Sequence, residues 1–119
     1  MNVEFTQTWQ GANELCISAS SGRATLTSIH SQEENEHVYS LFSYKAGLNA
    51  WLGGYLDSTG AWAWLDGSPF DYSNWATGAP NETAPQSIMM YGKTGSEPEK
   101  WNTEAPTNGV VDSVCSHTP

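Results

Sequence analysis

The sequence predicts a single α+β domain, and three features of its 119 residues indicate this class. Apolar residues recur at steps of three or four in two stretches of the first 47 residues, which is the period of amphipathic helices. From Trp51 onward, short alternating or apolar runs are separated by glycine, proline and asparagine, a pattern typical of strands and turns. A chain of this length buries one hydrophobic core but not two.

Two helices are predicted in the N-terminal part of the chain. Thr8 is the expected N-cap of the first helix, which ends near Gly22. Its apolar stripe consists of Trp9, Ala12, Leu15, Cys16 and Ala19. The second helix begins at a capping box, with Ser31 at the cap and Glu34 three residues on, and Gly47 is its expected end. Its buried stripe consists of Val38, Leu41 and Phe42.

Short strands are predicted in the rest of the chain. Trp62 and Trp64 alternate with alanines between two turn sequences, residues 58–60 and 66–69, which indicates a hairpin strand with one buried face. Further strands are expected at residues 3–6, 51–55, 88–91, 100–102 and 110–115, and residues 24–29 form a short strand or an extended link.

Residues 76–86, ATGAPNETAPQ, are predicted to form a long loop. They include two prolines, one glycine and no hydrophobic side chain larger than alanine, so they cannot contribute to a core. Loops held by a rigid scaffold commonly carry binding residues. The aromatic segment that precedes this loop is such a scaffold, and the loop is therefore the predicted recognition surface.

Charge and composition limit the partners of this chain. Its formal net charge is −9, with only four lysine and arginine residues, so it repels nucleic-acid phosphates and anionic lipid. No nucleic-acid partner is expected. No apolar run approaches the length of a membrane span, and the first residues lack the basic and apolar regions of a signal peptide. The acidic residues are spread along the chain, which favours ordinary surface charge over a cation site.

The motifs from residue 51 onward resemble those of C-type lectin-like domains. They are WLG at 51–53, WAWLDGSP at 62–69, YSNW at 72–75, GAPN at 78–81 and KWN at 100–102, in this order and over nearly the whole chain. The resemblance implies two helices that flank small antiparallel sheets, with a long irregular binding loop. It also implies that residues 1–119 are a single domain, excised from a longer secreted chain or lacking its leader, with an extracellular location.

The two cysteines lie near opposite ends of the chain. From the residues alone, a disulfide and two free thiols both stay open. The resemblance implies a disulfide between Cys16 and Cys115, and thus an oxidising compartment. Many members have a second, inner disulfide, but its positions hold Ser87 and either Ala105 or Pro106 here. We expect the long loop to be less constrained as a result.

The resemblance also bears on calcium. Sugar-binding members hold the ion with a Glu-Pro-Asn triplet, a later glutamate and a Trp-Asn-Asp triplet. Here residues 79–81 are Ala-Pro-Asn and residues 101–103 are Trp-Asn-Thr. Calcium takes six to eight oxygens, several from carboxylates, whereas the metal ligands retained, Asn81 and Asn102, are neutral. We expect no cofactor, or weakly bound calcium. A site rearranged around Glu82 and nearby glutamates is the minor alternative.

The ligand-binding residues implied by the resemblance lie on the loop face. They are Asn81, Glu82, Trp101, Asn102 and Thr103. The ligand is either a glycan or a protein. Sugar binding through calcium predicts that chelators abolish binding, whereas calcium-independent protein recognition predicts an exposed apolar patch on the loop face.

The tryptophans have two interpretations. An exposed indole can stack on a sugar ring, and a buried one fills the core. The resemblance favours the core for Trp51, Trp62, Trp75 and Trp101. It leaves Trp64 open.

No enzymatic motif is present. The chain lacks a GxSxG elbow, an HExxH helix and a phosphate-binding glycine loop. Asp66 and Asp71 lie in turn sequence, where hydrogen-bonded turn caps are favoured over a glycosidase pair. His30 and His37 are expected at the surface or in hydrogen bonds, since neither has a metal-binding partner at helical spacing.

The predicted loop also contains an N-glycosylation sequon, Asn81-Glu82-Thr83. A glycan on Asn81 would remove that amide as a calcium ligand.

Overall fold

A computed structural model of the chain describes residues 7–42, 49–83, 85–93, 95–110 and 112–115. Within these ranges it contains two helices and five strands. They are α1 (Trp9–Ala19), α2 (Gln32–Phe42), β1 (Ala50–Leu56), β2 (Trp62–Trp64), β3 (Ser87–Met90), β4 (Trp101–Glu104) and β5 (Asp112–Ser113). The predicted α+β class is confirmed. The predicted strand at residues 3–6 and the helix end at Gly47 lie outside the described residues.

The strands form one sheet with β1 at its centre. The order is β2-β1-β3-β4, and β5 pairs with β1 in parallel, whereas the other pairs are antiparallel. The sequence predicts two small sheets. They merge because β1 has seven residues, enough to pair with β5 at Ala50 and Trp51 and with β2 from Gly54 to Leu56.

Two adjacent glycines let other elements approach β1 closely. A Cβ atom on Gly53 would collide with the main-chain carbonyl of Leu26, and one on Gly54 would collide with the Ile88 side chain. The Gly53 N–H donates to the Thr27 carbonyl at 2.8 Å. The close backbone approach at Gly53 places the extended link, residues 24–29, directly against the sheet.

Helix α1 begins as predicted and buries a narrower face than predicted. The Thr8 side chain accepts from the Gly11 N–H at 3.1 Å, and Ala12 and Cys16 are buried. Leu15, which belongs to the predicted apolar stripe, is 53% exposed. Only one side of this helix packs on the sheet.

The buried residues of helix α2 also differ from the predicted ones. The Glu34 N–H donates to Ser31 Oγ at 3.1 Å, which confirms the cap, although the Glu34 carboxylate accepts from the His30 N–H. Its buried residues are Asn35, Val38 and Phe42. Leu41 is 45% exposed, so its predicted burial was wrong. Successive residues of a helix are roughly 100° apart around its axis. Leu41 therefore points away from the buried face that Asn35, Val38 and Phe42 form.

The sheet is buried on both faces. One cluster contains Ala50, Leu52, Ile88 and Met90 with α2 residues, and the other contains Trp51 and Met89 with Ala12 and Cys16 of α1. Trp51, Trp64 and Trp101 are core residues, which resolves the open assignment of Trp64. Trp62 and Trp75 are only half-buried and pack against each other at 5.1 Å between ring centroids, so their assignment to the core was only partly right.

The disulfide between Cys16 and Cys115 is present and closes a sequence separation of 99 residues. It joins α1 to the C-terminal segment, which also bridges to Leu26. In the chain-entropy treatment, a disulfide that closes a loop of this length stabilises the folded state by about 4–5 kcal/mol.

A buried amide joins α2 to β4. Asn35 has no exposed surface, and its Oδ1 accepts from Trp101 Nε1 at 2.7 Å. Its Nδ2 donates to the Glu99 carbonyl at 3.2 Å. The sequence gives no sign of this role, because Asn35 lies among charged residues that read as solvent-facing.

The segment that follows β2, residues 65–75, is held by a polar cluster around His30. His30 Nδ1 lies 2.7 Å from Asp71 Oδ1, and Nε2 lies 2.9 Å from Ser68 Oγ. Asp66 accepts from the Ser28 hydroxyl at 2.5 Å and from the Ser68 N–H at 2.9 Å. The predicted turn-cap role is confirmed for Asp66, and Asp71 pairs with His30 instead.

The pKa of Asp66 is lower than its ordinary value. Partial burial by itself raises this pKa. The hydrogen bonds from Ser28 and Ser68, together with the nearby His30, lower it by more than burial raises it. The ionised carboxylate is therefore favoured in the folded state. Its contribution to stability is present above the unfolded-state pKa and is lost as the pH falls through the folded-state pKa.

The first prediction concerns Asn35. Asn35→Ala leaves the Trp101 indole N–H and the Glu99 carbonyl without their partners, and should lower the free energy of unfolding by about 2–4 kcal/mol. Urea denaturation at neutral pH measures this. Asn108→Ala is the matched control, because Asn108 donates to Glu104 at the exposed surface, and its effect should be about 0.5 kcal/mol or less. Equal effects of the two variants would contradict a supporting role for Asn35.

The second prediction concerns pH. Asp66→Asn should lower the free energy of unfolding at neutral pH by about 1 kcal/mol or less, because the carboxylate is partly exposed. The difference from wild type should shrink once the pH falls well below 3.8, the ordinary value. Urea denaturation of wild type and variant at neutral pH and at the acidic pH measures this difference in the free energy of unfolding. Glu82→Gln at the exposed loop tip is the control and should change stability little at either pH. A difference that persists in acid would argue against the carboxylate as its origin.

Candidate functional site

The loop between β2 and β3, residues 65–86, is anchored by aromatic rings. Phe70 stacks on Trp64 with ring centroids 4.9 Å apart, and Tyr72 and Trp75 meet Trp101 edge-on at 5.8 and 5.7 Å. Burial, followed by the negative charges of Glu99 and Glu36, raises the pKa of Tyr72, whose hydroxyl donates to Gln32 at 2.6 Å. The first half of the loop is thereby tied to the core.

Main-chain hydrogen bonds hold the base of the loop against β4. The Trp101 N–H donates to the Asn74 carbonyl and the Ala76 N–H donates to the Trp101 carbonyl, both at 2.8 Å. Glu97 accepts from the Thr77 N–H at 2.8 Å and from its hydroxyl at 3.1 Å. These contacts constrain the segment that the absent inner disulfide was expected to leave slack. The Ala79-Pro80 peptide bond is cis.

The exposed tip of the loop consists of Asn81, Glu82 and Thr83, and it meets β4. The Asn81 N–H donates to Thr103 Oγ1 at 3.2 Å. The Asn81 side-chain oxygen accepts from the Thr83 N–H at 3.0 Å. The structure thus brings Asn81 and Thr103 together. We call residues 81–83 with Asn102 and Thr103 the tip face.

Asn102 is held beside this contact by its own hydrogen bonds. Its Oδ1 accepts from the Thr103 N–H at 2.7 Å, and its Nδ2 donates to the Tyr91 hydroxyl at 2.7 Å. The sequence predicts a strand over residues 88–91 but does not predict this contact of Tyr91. The contact between Glu97 and Thr77 is not predicted by the sequence either, because the two residues lie 20 positions apart.

Trp101 does not lie on the tip face. It has no exposed surface, so the ligand contact assigned to its side chain is not available. Its indole points to Asn35 in the core. Trp101 supports the tip face from beneath, through its ring contacts and through the main chain of β4.

The oxygens near the tip form a poor donor set for calcium. Among the described residues there is no group of three or more His, Cys, Asp or Glu residues that could hold a metal ion. The Glu97 carboxylate is engaged with Thr77, and Glu104 accepts from Asn108 at 3.1 Å. The amide oxygens of Asn81 and Asn102 each accept from a main-chain N–H. Calcium favours several carboxylates, and Glu82 supplies the one carboxylate of the loop tip.

The large exposed hydrophobic side chains lie elsewhere. In the described part of the chain they are Leu15 and Ile17 on α1 and Leu41 on α2. The tip face is polar throughout. The hypothesis of protein recognition predicts an exposed apolar patch on the loop face. No such patch is found among the described residues. Neither described helix is long and apolar enough to cross a membrane.

The chain is similar in sequence to a lectin and to an ice-structuring protein. Ladderlectin of Oncorhynchus mykiss is 36% identical over 86 residues, 70% of this chain and 44% of that protein. The type-2 ice-structuring protein of Hemitripterus americanus is 31% identical over 112 residues, 93% of this chain and 63% of that protein. The chain thus spans less than two thirds of the length of either relative.

Solved structures share the fold. The Ca²⁺-free form of a Ca²⁺-dependent type II antifreeze protein superposes with a TM-score of 0.78 at 29% identity, covering 97% of this chain and 87% of that one. Residues 5–117 match the family described as the Lectin C-type domain. The match covers nearly the whole chain and agrees with the helices, sheet and disulfide described above. This chain belongs to the C-type lectin domain family.

Proposed function

We propose that this domain is an extracellular recognition module that binds carbohydrate at the tip face without a bridging calcium ion. The observation that carries the proposal is the direct hydrogen bond between Asn81 and Thr103. This hydrogen bond joins residues 79–81 to residues 101–103, the two segments that a calcium ion joins in the sugar-binding members of the family. Recognition by binding, rather than catalysis, is the function proposed.

The hydrogen bonds of the tip support calcium independence. A calcium ligand must give its oxygen to the ion, and the ion must be compensated for its lost hydration by several oxygens, carboxylates above all. At Asn81 and Asn102 the side-chain oxygens already accept from main-chain N–H groups. Ligation would have to compete with both contacts, and positions 79 and 103 are alanine and threonine, without carboxylates to favour it.

The polarity of the tip supports a hydroxyl-rich ligand. Asn81, Glu82 and Thr83 are exposed, and Asn102 and Thr103 are half-buried, so amide, carboxylate and hydroxyl groups line one surface. Such groups match the paired donors and acceptors of sugar hydroxyls. A net charge of −9 disfavours anionic glycans, so neutral sugars fit best. The disulfide supports an oxidising, extracellular location.

A protein partner is the second candidate, and a different surface favours it. Leu15, Ile17 and Leu41 expose large apolar side chains on the helices, and none of them belongs to the tip face. A partner bound there would depend on these residues and not on the loop. No nucleic-acid or membrane partner is proposed.

The third prediction is that calcium does not stabilise the protein. A site with a Kd of about 1 mM would raise the free energy of unfolding by roughly 1.4 kcal/mol at about 10 mM calcium. Thermal melts and calorimetric titration of chelator-treated protein should show no such change. The variant A79E/T103D restores two of the three carboxylates of the resemblance and is the positive comparison. A calcium-dependent rise in the Tm of wild type would overturn calcium independence.

The fourth prediction is that neutral glycans bind in the presence of a chelator. On an array of immobilised glycans, Asn102→Ala and Thr103→Ala should weaken binding by about tenfold or more, equivalent to about 1.4 kcal/mol. Thr103→Ser keeps the hydroxyl that holds Asn81 and should retain binding. Leu41→Ala on α2 is the control for the second candidate and should have no effect. If Leu41→Ala weakens ligand capture and the tip variants do not, the protein-partner proposal replaces this one. Thermal hysteresis measured on the same samples tests the activity named for the ice-structuring relative.

A further inference from the structure

Asn81 is the only asparagine in the chain that is followed, two positions later, by serine or threonine. All three residues of this sequon are exposed. The structure adds what the sequence cannot: the position of the acceptor amide and the state of its two polar atoms. We propose that Asn81 is a site of N-linked glycosylation, and that the attached oligosaccharide covers the tip face.

The Asn81 amide is presented in a suitable way. Its oxygen accepts from the Thr83 N–H at 3.0 Å, which turns the chain so that Thr83 folds back toward Asn81. Its nitrogen, Nδ2, makes no hydrogen bond within the described residues and lies in an exposed side chain. The amide is thus oriented through its oxygen while the nitrogen that would be modified remains accessible.

The surrounding backbone keeps the acceptor at the surface. Pro80 precedes Asn81, and a proline cannot donate a main-chain hydrogen bond to a strand. Pro85 follows and is also exposed. The sequon therefore stays in an exposed loop, outside regular structure, where a transferase has access to it.

The chemistry of the modification is a glycosyl transfer. The donor is a lipid-linked oligosaccharyl diphosphate, supplied by the secretory pathway together with its transferase. The bond between Asn81 Nδ2 and the anomeric carbon forms, the bond between that carbon and the diphosphate oxygen breaks, and the lipid diphosphate leaves with the electron pair. One amide proton passes to a base of the transferase. No oxidation or reduction takes place.

The consequence for recognition rests on the proposed function, whereas the modification itself does not. The Asn81 main chain contacts Thr103 at 3.2 Å, so an oligosaccharide on Asn81 begins beside the residues proposed to bind sugar. The modified form would bind external glycans more weakly than the unmodified form. Glycosylation of this one residue would then regulate the tip face.

The modification is tested by expressing the protein with a secretion signal in a eukaryotic cell line and measuring its intact mass. Wild type and Thr83→Ser should carry the mass of one oligosaccharide, which peptide N-glycosidase removes. Thr83→Ala should carry none. This variant keeps Asn81 and both main-chain contacts of residue 83, since the N–H donates to Asn81 and the carbonyl accepts from Gln86 at 2.9 Å. It should therefore fold, and Thr77→Ala, which lies outside the sequon, should stay modified.

The outcomes separate the two proposals. Secreted wild type without added mass overturns the modification, and so does added mass that persists in Thr83→Ala. If wild type is modified, its binding to neutral glycans should be about tenfold weaker than that of the same sequence produced without the oligosaccharide in the periplasm of a bacterial host. Equal binding by the two forms overturns the shielding role. If neither form binds any glycan, the proposed carbohydrate recognition fails, and the mass measurement still decides the modification.

Discussion

The hydrogen bond between the Trp101 indole and Asn35 is the contact on which the rest of the structure depends. Both residues are fully buried, and the donor and acceptor are 66 positions apart in sequence. The same tryptophan binds Asn74 and Ala76 through its main chain. One residue therefore joins α2, the base of the long loop and the sheet. In a buried, low-dielectric setting, such a satisfied polar contact specifies one arrangement, because any other leaves polar groups unpaired.

The order of the long loop follows from that anchor. The loop tip has no large hydrophobic side chain to bury, so its conformation cannot come from a core of its own. Rings contributed by the first half of the loop pack around Trp64 and Trp101, and Glu97 and Thr103 bind its second half. Each of these hydrogen bonds contributes only about 0.5–1.5 kcal/mol. In the calcium-independent recognition proposed above, these contacts take the place of a metal ion and an inner disulfide.

This proposed replacement of a metal ion by hydrogen bonds would change the chemistry available at the tip. A bound calcium ion would supply a strong, directional site for sugar hydroxyls, and affinity would follow its occupancy. Direct hydrogen bonds leave instead a surface of amides, hydroxyls and one carboxylate, where affinity depends on the summed fit of weak contacts. Such a surface is sensitive to anything that covers it. That sensitivity connects the proposed recognition of neutral glycans with the proposed oligosaccharide on Asn81.

The helix caps at Thr8 and Ser31, the apolar strands around Trp51 and Ile88, and the order of the motifs that marks the family can all be predicted from the sequence alone. These depend on residues within a few positions of one another, or on motif identity, and both can be read along a chain. Tertiary structure alone decided that Leu15 and Leu41 face solvent, that Asn35 is buried, and that Trp101 lies beneath the tip instead of on it. It also decided that β5 joins β1 in a single sheet. Whether a side chain is buried depends on elements brought to it from dozens of residues away, and periodicity within one helix or strand carries no information about them.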